Sequence, residues 1–340
     1  MKAVVKWEAG EGRISLEQRP KPRPGRGQVL IKVAWAGICG TDLKIQSGDF
    51  WCNPPVILGH EYSGVIEETG EGVTDLLPGE PVVTETAQVV CGKCEYCLSG
   101  NYLMCASRLS IGYGTDGAFG EYIAVRREIV HKIPEGVTLE EAALCEPTAV
   151  ALHSVFDYAE IRPHHEVLVF GPGTIGLLVA QAVKSMGAHA ILCGTSQDSF
   201  RLEAGRRMGI DTVDTSVEDL GDYVDAATAG RKADYAFDCS GAAPAVSQAL
   251  NCIRKKGTLV QVGLTKPAIQ LDYGTVAMKE LTIRGAFGHR NENWAQALKL
   301  MAQKKIDVKP LITDRLPLED WEQGFERARK LSSIKVLLQP

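Results

Sequence analysis

Val167-Leu168-Val169-Phe170-Gly171-Pro172-Gly173-Thr174-Ile175-Gly176 carries an apolar run into a glycine pattern, and Leu177 to Met186 continues it with helix-forming residues. The order of strand, G-x-G-x-x-G and helix is what makes the glycines informative. Gly171 permits a tight turn, Gly173 lets the backbone approach a pyrophosphate, and Gly176 lets helix and strand pack closely. Thr174 and Ile175 open the helix, whose free N–H groups would face the phosphates. The segment predicts a dinucleotide site, with Gly171, Gly173, Thr174, Ile175 and Gly176 as its phosphate loop.

Outward from this loop, Ala190-Ile191-Leu192-Cys193, Tyr235-Ala236-Phe237-Asp238 and Gly257-Thr258-Leu259-Val260-Gln261-Val262 recur as apolar runs separated by helical stretches. That alternation predicts an α/β fold, a doubly wound parallel sheet of the Rossmann type over residues 151–284. Residues 1–150 read differently. Val29-Leu30-Ile31-Lys32-Val33, Tyr62-Ser63-Gly64-Val65-Ile66 and Tyr122-Ile123-Ala124-Val125 are short β-rich runs broken by Gly and Pro, which predicts a β-barrel-type domain. Residues 285–340 return to mixed helix and strand and are expected to pack back on that first domain. Two domains also follow from size, because 340 residues with 45% apolar composition exceed what one core usually holds.

The net charge is −5, and Lys and Arg are scattered, so no stripe exists to neutralise a row of phosphates. Nucleic acid is not an expected partner. No segment has the roughly 18 uninterrupted apolar residues of a membrane span, and Met1 to Val5 runs straight into Lys6 and Glu8 without a signal-type stretch. A soluble cytoplasmic protein is expected. Ten cysteines in such a compartment argue for metal over disulfides where they cluster.

Four of them do cluster. Cys91, Cys94, Cys97 and Cys105 form C-x2-C-x2-C-x7-C, a spacing that lets four thiolates converge on Zn²⁺. A ferredoxin-type run would bring its fourth Cys after three residues and follow it with Pro, whereas Ala106 follows here. Four thiolates leave no open coordination position, so this site is read as structural.

Gly37-Ile38-Cys39-Gly40-Thr41-Asp42 and Gly59-His60-Glu61 each follow an apolar strand-like run, and Glu146 lies in Leu144-Cys145-Glu146-Pro147-Thr148. Taken singly, Cys39 would be a small buried hydrophobe and His60 a satisfied core histidine. Together, one thiolate, one imidazole and one or two carboxylates would bind zinc and leave room for substrate, as a catalytic site requires.

With these residues in hand the chain resembles the zinc-containing medium-chain dehydrogenases, particularly their sorbitol and threonine dehydrogenase branch, from Lys2-Ala3 to Gln339-Pro340. The resemblance is carried by the Cys39 and His60 segments, the cysteine lobe, Cys145-Glu146-Pro147 with Ala149-Val150-Ala151-Leu152-His153, and the glycine loop. It implies a GroES-like catalytic barrel built from both chain ends with the Rossmann domain inserted, and a homo-oligomer, tetramer or dimer. It implies two zincs per chain, one structural and one catalytic, the latter on Cys39, His60 and a third group. That group is Glu61 in the sorbitol-like arrangement, with Glu146 reaching the metal through water, or Glu146 directly in others. Thr41 matches the hydroxyl that takes the substrate proton. Where many relatives place a relaying His, Lys44 stands, as its replacement or as a solvated lysine. Sorbitol dehydrogenases proper carry an Arg-Tyr pair near Phe287-Gly288-His289-Arg290, which this chain lacks, so the implied substrate is a polyol or similar secondary alcohol and not sorbitol in particular. A threonine-type amino alcohol is the alternative; a non-catalytic NADPH-binding protein is a third reading that the Cys39, His60, Glu146 set opposes.

The coenzyme is NAD or NADP. NAD enzymes usually carry a carboxylate at the second strand end, roughly 20 residues past the loop. That count lands on Gly194-Thr195-Ser196, and Asp198 is the first carboxylate. Thr195 and Ser196 could donate to a 2′-phosphate and Arg201 could reach it, which modestly favours NADP.

Overall fold

The structure is a computed structural model that describes residues 1–265 and 268–340. It divides into two compact units. The first comprises Met1–Ala149, His289–Gln303 and Ile312–Pro340; the second comprises Val150–Gly288 and Lys304–Leu311. Among the described residues no helix is long and apolar enough to cross a membrane.

In the second unit the strands are ordered Asp211–Asp214, His189–Gly194, Glu166–Phe170, Ala233–Asp238, Ile253–Gln261 and Thr282–Gly285, all parallel. Val167, Leu168 and Val169 are fully buried, as a strand covered on both faces must be, which is why it reads as a continuous apolar run without alternation. The chain leaves this strand to one side and returns to pair on its other side. That makes its carboxyl end the point where strand order reverses, the place where doubly wound sheets bind ligands. The glycine loop occupies it.

At the amino ends of these strands, His189 places Nδ1 2.5 Å from Glu166 Oε2 and Nε2 2.9 Å from Asp211 Oδ2. Burial opposes charge on the ring, but the two carboxylates outweigh it and raise its pKa. A raised folded-state pKa gives stability that is fully present below the unfolded value of about 6.5 and is lost as pH rises through the folded value. The ring is 40% exposed, so solvent screening limits the effect to less than about 1 kcal/mol. We expect His189→Asn to be less stable than wild type in urea unfolding near pH 5.5 and indistinguishable from it near pH 9. A wild-type advantage that grew with pH would contradict this account.

The first unit is built on a seven-stranded sheet whose path runs Val130–Lys132, Pro81–Thr84, Glu61–Thr69, Gln28–Gly37, Lys335–Gln339, Ile312–Pro317, with Tyr122–Arg126 also paired to Gln28–Gly37. The long Gln28–Gly37 strand therefore binds three others, and its two kinks in register curve the sheet around a core that includes Phe119, Trp321 and Phe325. Near the end of that strand, Gly37 lies opposite Glu61 on one side and Leu337 on the other. A Cβ at Gly37 would stand 2.6 Å from Glu61 Oε2 and 3.4 Å from Lys335 Cδ. Glycine here makes room for those two side chains to meet.

Candidate active site

Cys39 stands two residues past the end of this strand and caps the helix Gly40–Gln46. Its backbone N–H donates to Asp42 Oδ2 at 2.8 Å, and its Sγ–H donates to the Thr41 hydroxyl oxygen at 3.7 Å. His60 follows Gly59, whose φ of +89° and contact with the Phe119 ring admit no side chain. That turn carries the chain into the strand opened by Glu61. The ligand atoms of Cys39, His60 and Glu61 all lie within 4.8 Å of one another.

Behind these three groups stands a buried shell that composition and spacing did not reveal. Asp42 Oδ1 lies 3.7 Å from His60 Nδ1; both side chains are buried and neither atom has a hydrogen-bond partner. A carboxylate beside one ring nitrogen orients the imidazole and leaves the other nitrogen for a metal. Lys335 donates to Glu61 Oε2 at 2.6 Å and to the Ile38 carbonyl at 3.1 Å. Asp42 could have been noticed as the acid three residues into a predicted helix. Lys335, almost 300 residues from Cys39, carries no local signal.

The electrostatics ask for a cation. Burial disfavours a charged His60 ring, yet the Asp42 carboxylate and the Cys39 thiol outweigh it and raise its proton affinity well above the usual histidine range. Burial and the like charge of Glu61 push the Glu146 carboxyl up to about 7. Burial also raises Asp42 above the usual carboxylate range. Burial works against the Lys335 ammonium, but Glu61 and Cys39 hold its proton affinity above the ordinary lysine value. A thiol and three carboxyls around a single ammonium are a donor set that a divalent cation would neutralise and satisfy.

Glu146, on the helix Cys145–Leu152, is felt electrostatically by His60 and Glu61 but is not one of the three clustered ligand groups. Lys44 lies one helical turn beyond Thr41, half-buried, and among the described residues its ammonium makes no hydrogen bond or ion pair. On the other side of His60, Tyr113 meets the imidazole edge to face at 6.1 Å and Phe50 at 5.4 Å, and Arg108 Nη1 donates to the Tyr113 hydroxyl at 3.1 Å. This is an aromatic wall with a polar tip.

The four lobe cysteines also converge within 4.8 Å. Cys94 Sγ is 3.5 Å and Cys91 Sγ 3.9 Å from Cys97 Sγ, close to the separation of about 3.8 Å that tetrahedral Zn–S bonds of 2.3 Å require. Backbone N–H groups of Lys93 and Cys94 hold the Cys91 thiol down at about 6.

In the nucleotide unit, Gly171 has φ +89°, and a Cβ on it would strike Ser240 at 2.8 Å. A Cβ at Gly176 would lie 2.0 Å from the Gly171 carbonyl, while one at Gly173 would meet nothing within 4 Å. Close packing needs Gly176, and open space at Gly173, the cap of the helix Thr174–Ser185, is where a pyrophosphate would approach. At the next strand end, Thr195 donates its hydroxyl and its N–H to Asp198 Oδ2 at 2.9 and 3.0 Å. Ser196 donates to Asp214 Oδ2 at 2.7 Å. Asp214 was invisible to the 20-residue count because it arrives from the neighbouring strand. Burial pushes the proton affinity of Arg201 below the usual arginine value, and the Asp198 charge offsets part of this.

A GroES-like barrel with a mixed thiol, imidazole and carboxylate cluster, a four-cysteine lobe and a Rossmann unit defines a zinc-dependent nicotinamide-nucleotide dehydrogenase. Residues 25–135 match the alcohol dehydrogenase GroES-like domain family and residues 174–303 the zinc-binding dehydrogenase family. The chain is 40% identical over 342 residues to a sorbitol dehydrogenase of Halalkalibacterium halodurans, covering 100% of this chain and 99% of the relative. It is 36% identical over 347 residues to an L-threonine 3-dehydrogenase of Bacillus licheniformis, with 100% and 99% covered. It superposes with TM-score 0.91 on a zinc-binding dehydrogenase of Sinorhizobium meliloti solved with NADP bound, 30% identical, covering 100% and 99%. The chain belongs to the zinc-containing medium-chain dehydrogenases, in the polyol and threonine dehydrogenase branch, and is an NAD(P)-dependent zinc dehydrogenase.

Proposed function

We propose that this dehydrogenase oxidises a secondary hydroxyl of a small polyol to a ketone, with Cys39, His60 and Glu61 holding the reactive zinc and Glu146 standing beside them. The observation that carries this reading is the convergence of those three ligand atoms within 4.8 Å, with the Thr41 hydroxyl on the Cys39 sulfur. Lys335 engages one oxygen of Glu61, so the other remains available to the metal. When bound, zinc supplies Lewis-acid chemistry that lowers the pKa of a hydroxyl, and the nicotinamide accepts hydride. The chain's own groups do the rest. Asp42 keeps the His60 ring in place, Thr41 takes the proton of the substrate hydroxyl, and Lys44, one turn away, is the outer station toward solvent. The perpendicular rings of Phe50 and Tyr113 present an apolar wall to carbon-bound hydrogens, while the Tyr113 hydroxyl offers a polar group to a second substrate hydroxyl.

The likeness to a threonine dehydrogenase keeps amino alcohols as the second reading. For the coenzyme, Gly194 at the strand end itself carries no carboxylate and Arg201 lies on the following helix, which favours NADP modestly, as does the NADP in the S. meliloti relative. Asp214 works against it. A panel of polyols, inositols and threonine, run with both coenzymes, tests the whole reading. We expect the highest kcat/KM on a polyol, with NADP ahead of NAD. Asp214→Asn should raise the NADP to NAD ratio about fivefold, the yield of removing a screened like charge worth about 1 kcal/mol. Arg201→Ala should lower it about tenfold. A best substrate of threonine would replace the polyol reading. No turnover on any compound would favour a non-catalytic NADPH-binding protein. A ratio that neither substitution moves would put the 2′-position elsewhere.

A further inference from the structure

Outside the ligand cluster lies a second buried polar chain that the chemistry above does not use. His289 is 2% exposed and Trp294 1% exposed. The indole Nε1–H of Trp294 donates to His289 Nδ1 at 2.9 Å. An indole nitrogen is only ever a donor, so His289 Nδ1 must be the lone-pair nitrogen. The ring proton therefore sits on Nε2. That nitrogen lies 3.4 Å from Thr86 Oγ1 and 3.9 Å from Glu146 Oε1. Trp294 is itself clamped. It meets His289 edge to face at 5.0 Å and stacks on His131 at 5.8 Å with the planes 6° apart. His131 lies 3.2 Å from the buried Glu85, which also accepts from Asn291 at 2.6 Å. Thr86, Glu146, His131 and, behind it, Glu85 thus face His289 and Trp294.

We propose that His289, its tautomer set by Trp294, is a positioning residue for Glu146: its Nε2–H is the donor that holds the Glu146 carboxylate beside the reactive metal. The inference rests on the zinc reading of Cys39, His60 and Glu61. Its chemistry is that of a metal centre's outer layer, where a fixed hydrogen bond to a carboxylate decides how that carboxylate is presented. At 3.9 Å the contact is longer than a hydrogen bond, with Thr86 nearer. Closing it requires the Glu146 carboxylate to approach Nε2, as catalytic contacts tighten on loading. The alternative is that His289 only satisfies the buried indole N–H.

Zinc retention separates the two. Wild type, His289→Leu, His289→Gln and Glu146→Gln, each purified with zinc, are dialysed against a chelator and the zinc remaining per chain is counted over time. The four-cysteine zinc serves as the internal control for folding. We expect the reactive zinc to leave His289→Leu about 10- to 100-fold faster than wild type, the usual scale for an outer-layer partner. His289→Gln, which restores an amide donor, should stay within about threefold of wild type. Adding His289→Leu to Glu146→Gln should change nothing further, because the residue through which His289 acts is already altered. Ring ¹⁵N shifts should show Nε2 protonated in wild type and a mixture of tautomers in Trp294→Phe. The proposal is overturned if His289→Leu keeps its zinc as wild type does, if His289→Gln is as defective as His289→Leu, or if the loss adds fully to that of Glu146→Gln. A wild-type chain holding only the four-cysteine zinc would instead overturn the metal assignment, and the proposal with it.

Discussion

Cys39→Ser and His60→Ala are each expected to lower kcat by about a thousandfold or more and to leave one zinc per chain in place of two. A thousandfold corresponds to about 4 kcal/mol, the order of charge stabilisation that a Lewis-acid metal provides. Dinucleotide affinity should stay within about threefold, because Gly171, Gly173 and Gly176 belong to the other compact unit and share no side chain with the cluster. Metal analysis and a fluorescence titration with reduced coenzyme check the two halves separately. Near-normal turnover with two zincs in either variant would mean that the reactive site is elsewhere. Loss of coenzyme binding together with zinc would mean that the substitution had unfolded the chain.

The other large effect belongs to the cysteine lobe. Cys94→Ser removes one of four thiolates that converge with no open position, and the lobe offers little else to hold it, with Cys97 and Leu103 among its few buried apolar side chains. Structural zinc contributes on the order of 10 kcal/mol to the folding of small metal-bound modules at neutral pH. We expect the substitution to drop the lobe zinc, to expose residues 91–105 to limited proteolysis, and to lower the melting temperature by several degrees or more. The Cys39 zinc should remain. A variant as protease-resistant and as stable as wild type would show that the four thiolates are not held by a metal.

What could be read in the chain beforehand divides along physical lines. The glycine loop and the cysteine lobe are local: their residues lie within a few positions of each other, and turn geometry or metal geometry imposes the spacing directly. The fully buried parallel strands also announce themselves, because a strand covered on both faces has nothing but apolar residues to show, as in Val167-Leu168-Val169-Phe170. Cys39, Thr41 and His60 stand out because each follows an apolar run at a strand end, where side chains become available to a site. The supporting groups are another matter. Lys335 reaches Glu61 across Gly37, Asp214 reaches Ser196 from an adjacent strand, and His289 comes within 3.9 Å of Glu146 from more than 140 positions away. None has a period or a spacing, since each contact exists only once the sheets have formed. Asp214 shows the cost of counting along one strand, because the charge at a strand end is set by its neighbours as well.

The pairing of Lys335–Gln339 with Gln28–Gly37 has a consequence for biosynthesis. Leu337 lies against Gly37, and Lys335 neutralises Glu61 within the same few residues. At about 5 to 20 residues per second, roughly 15 to 60 s separate the emergence of residue 37 from that of residue 337. Throughout that interval the nascent barrel has an open edge and a carboxylate without its counter-ion, whereas residues 150–288 already hold nearly everything their own sheet requires. The middle of the polypeptide is thus free to mature first. A chain that ends before residue 335 would lack the Lys335 partner of Glu61 and leave the Gln28–Gly37 strand with an unpaired edge, open to pairing with another chain.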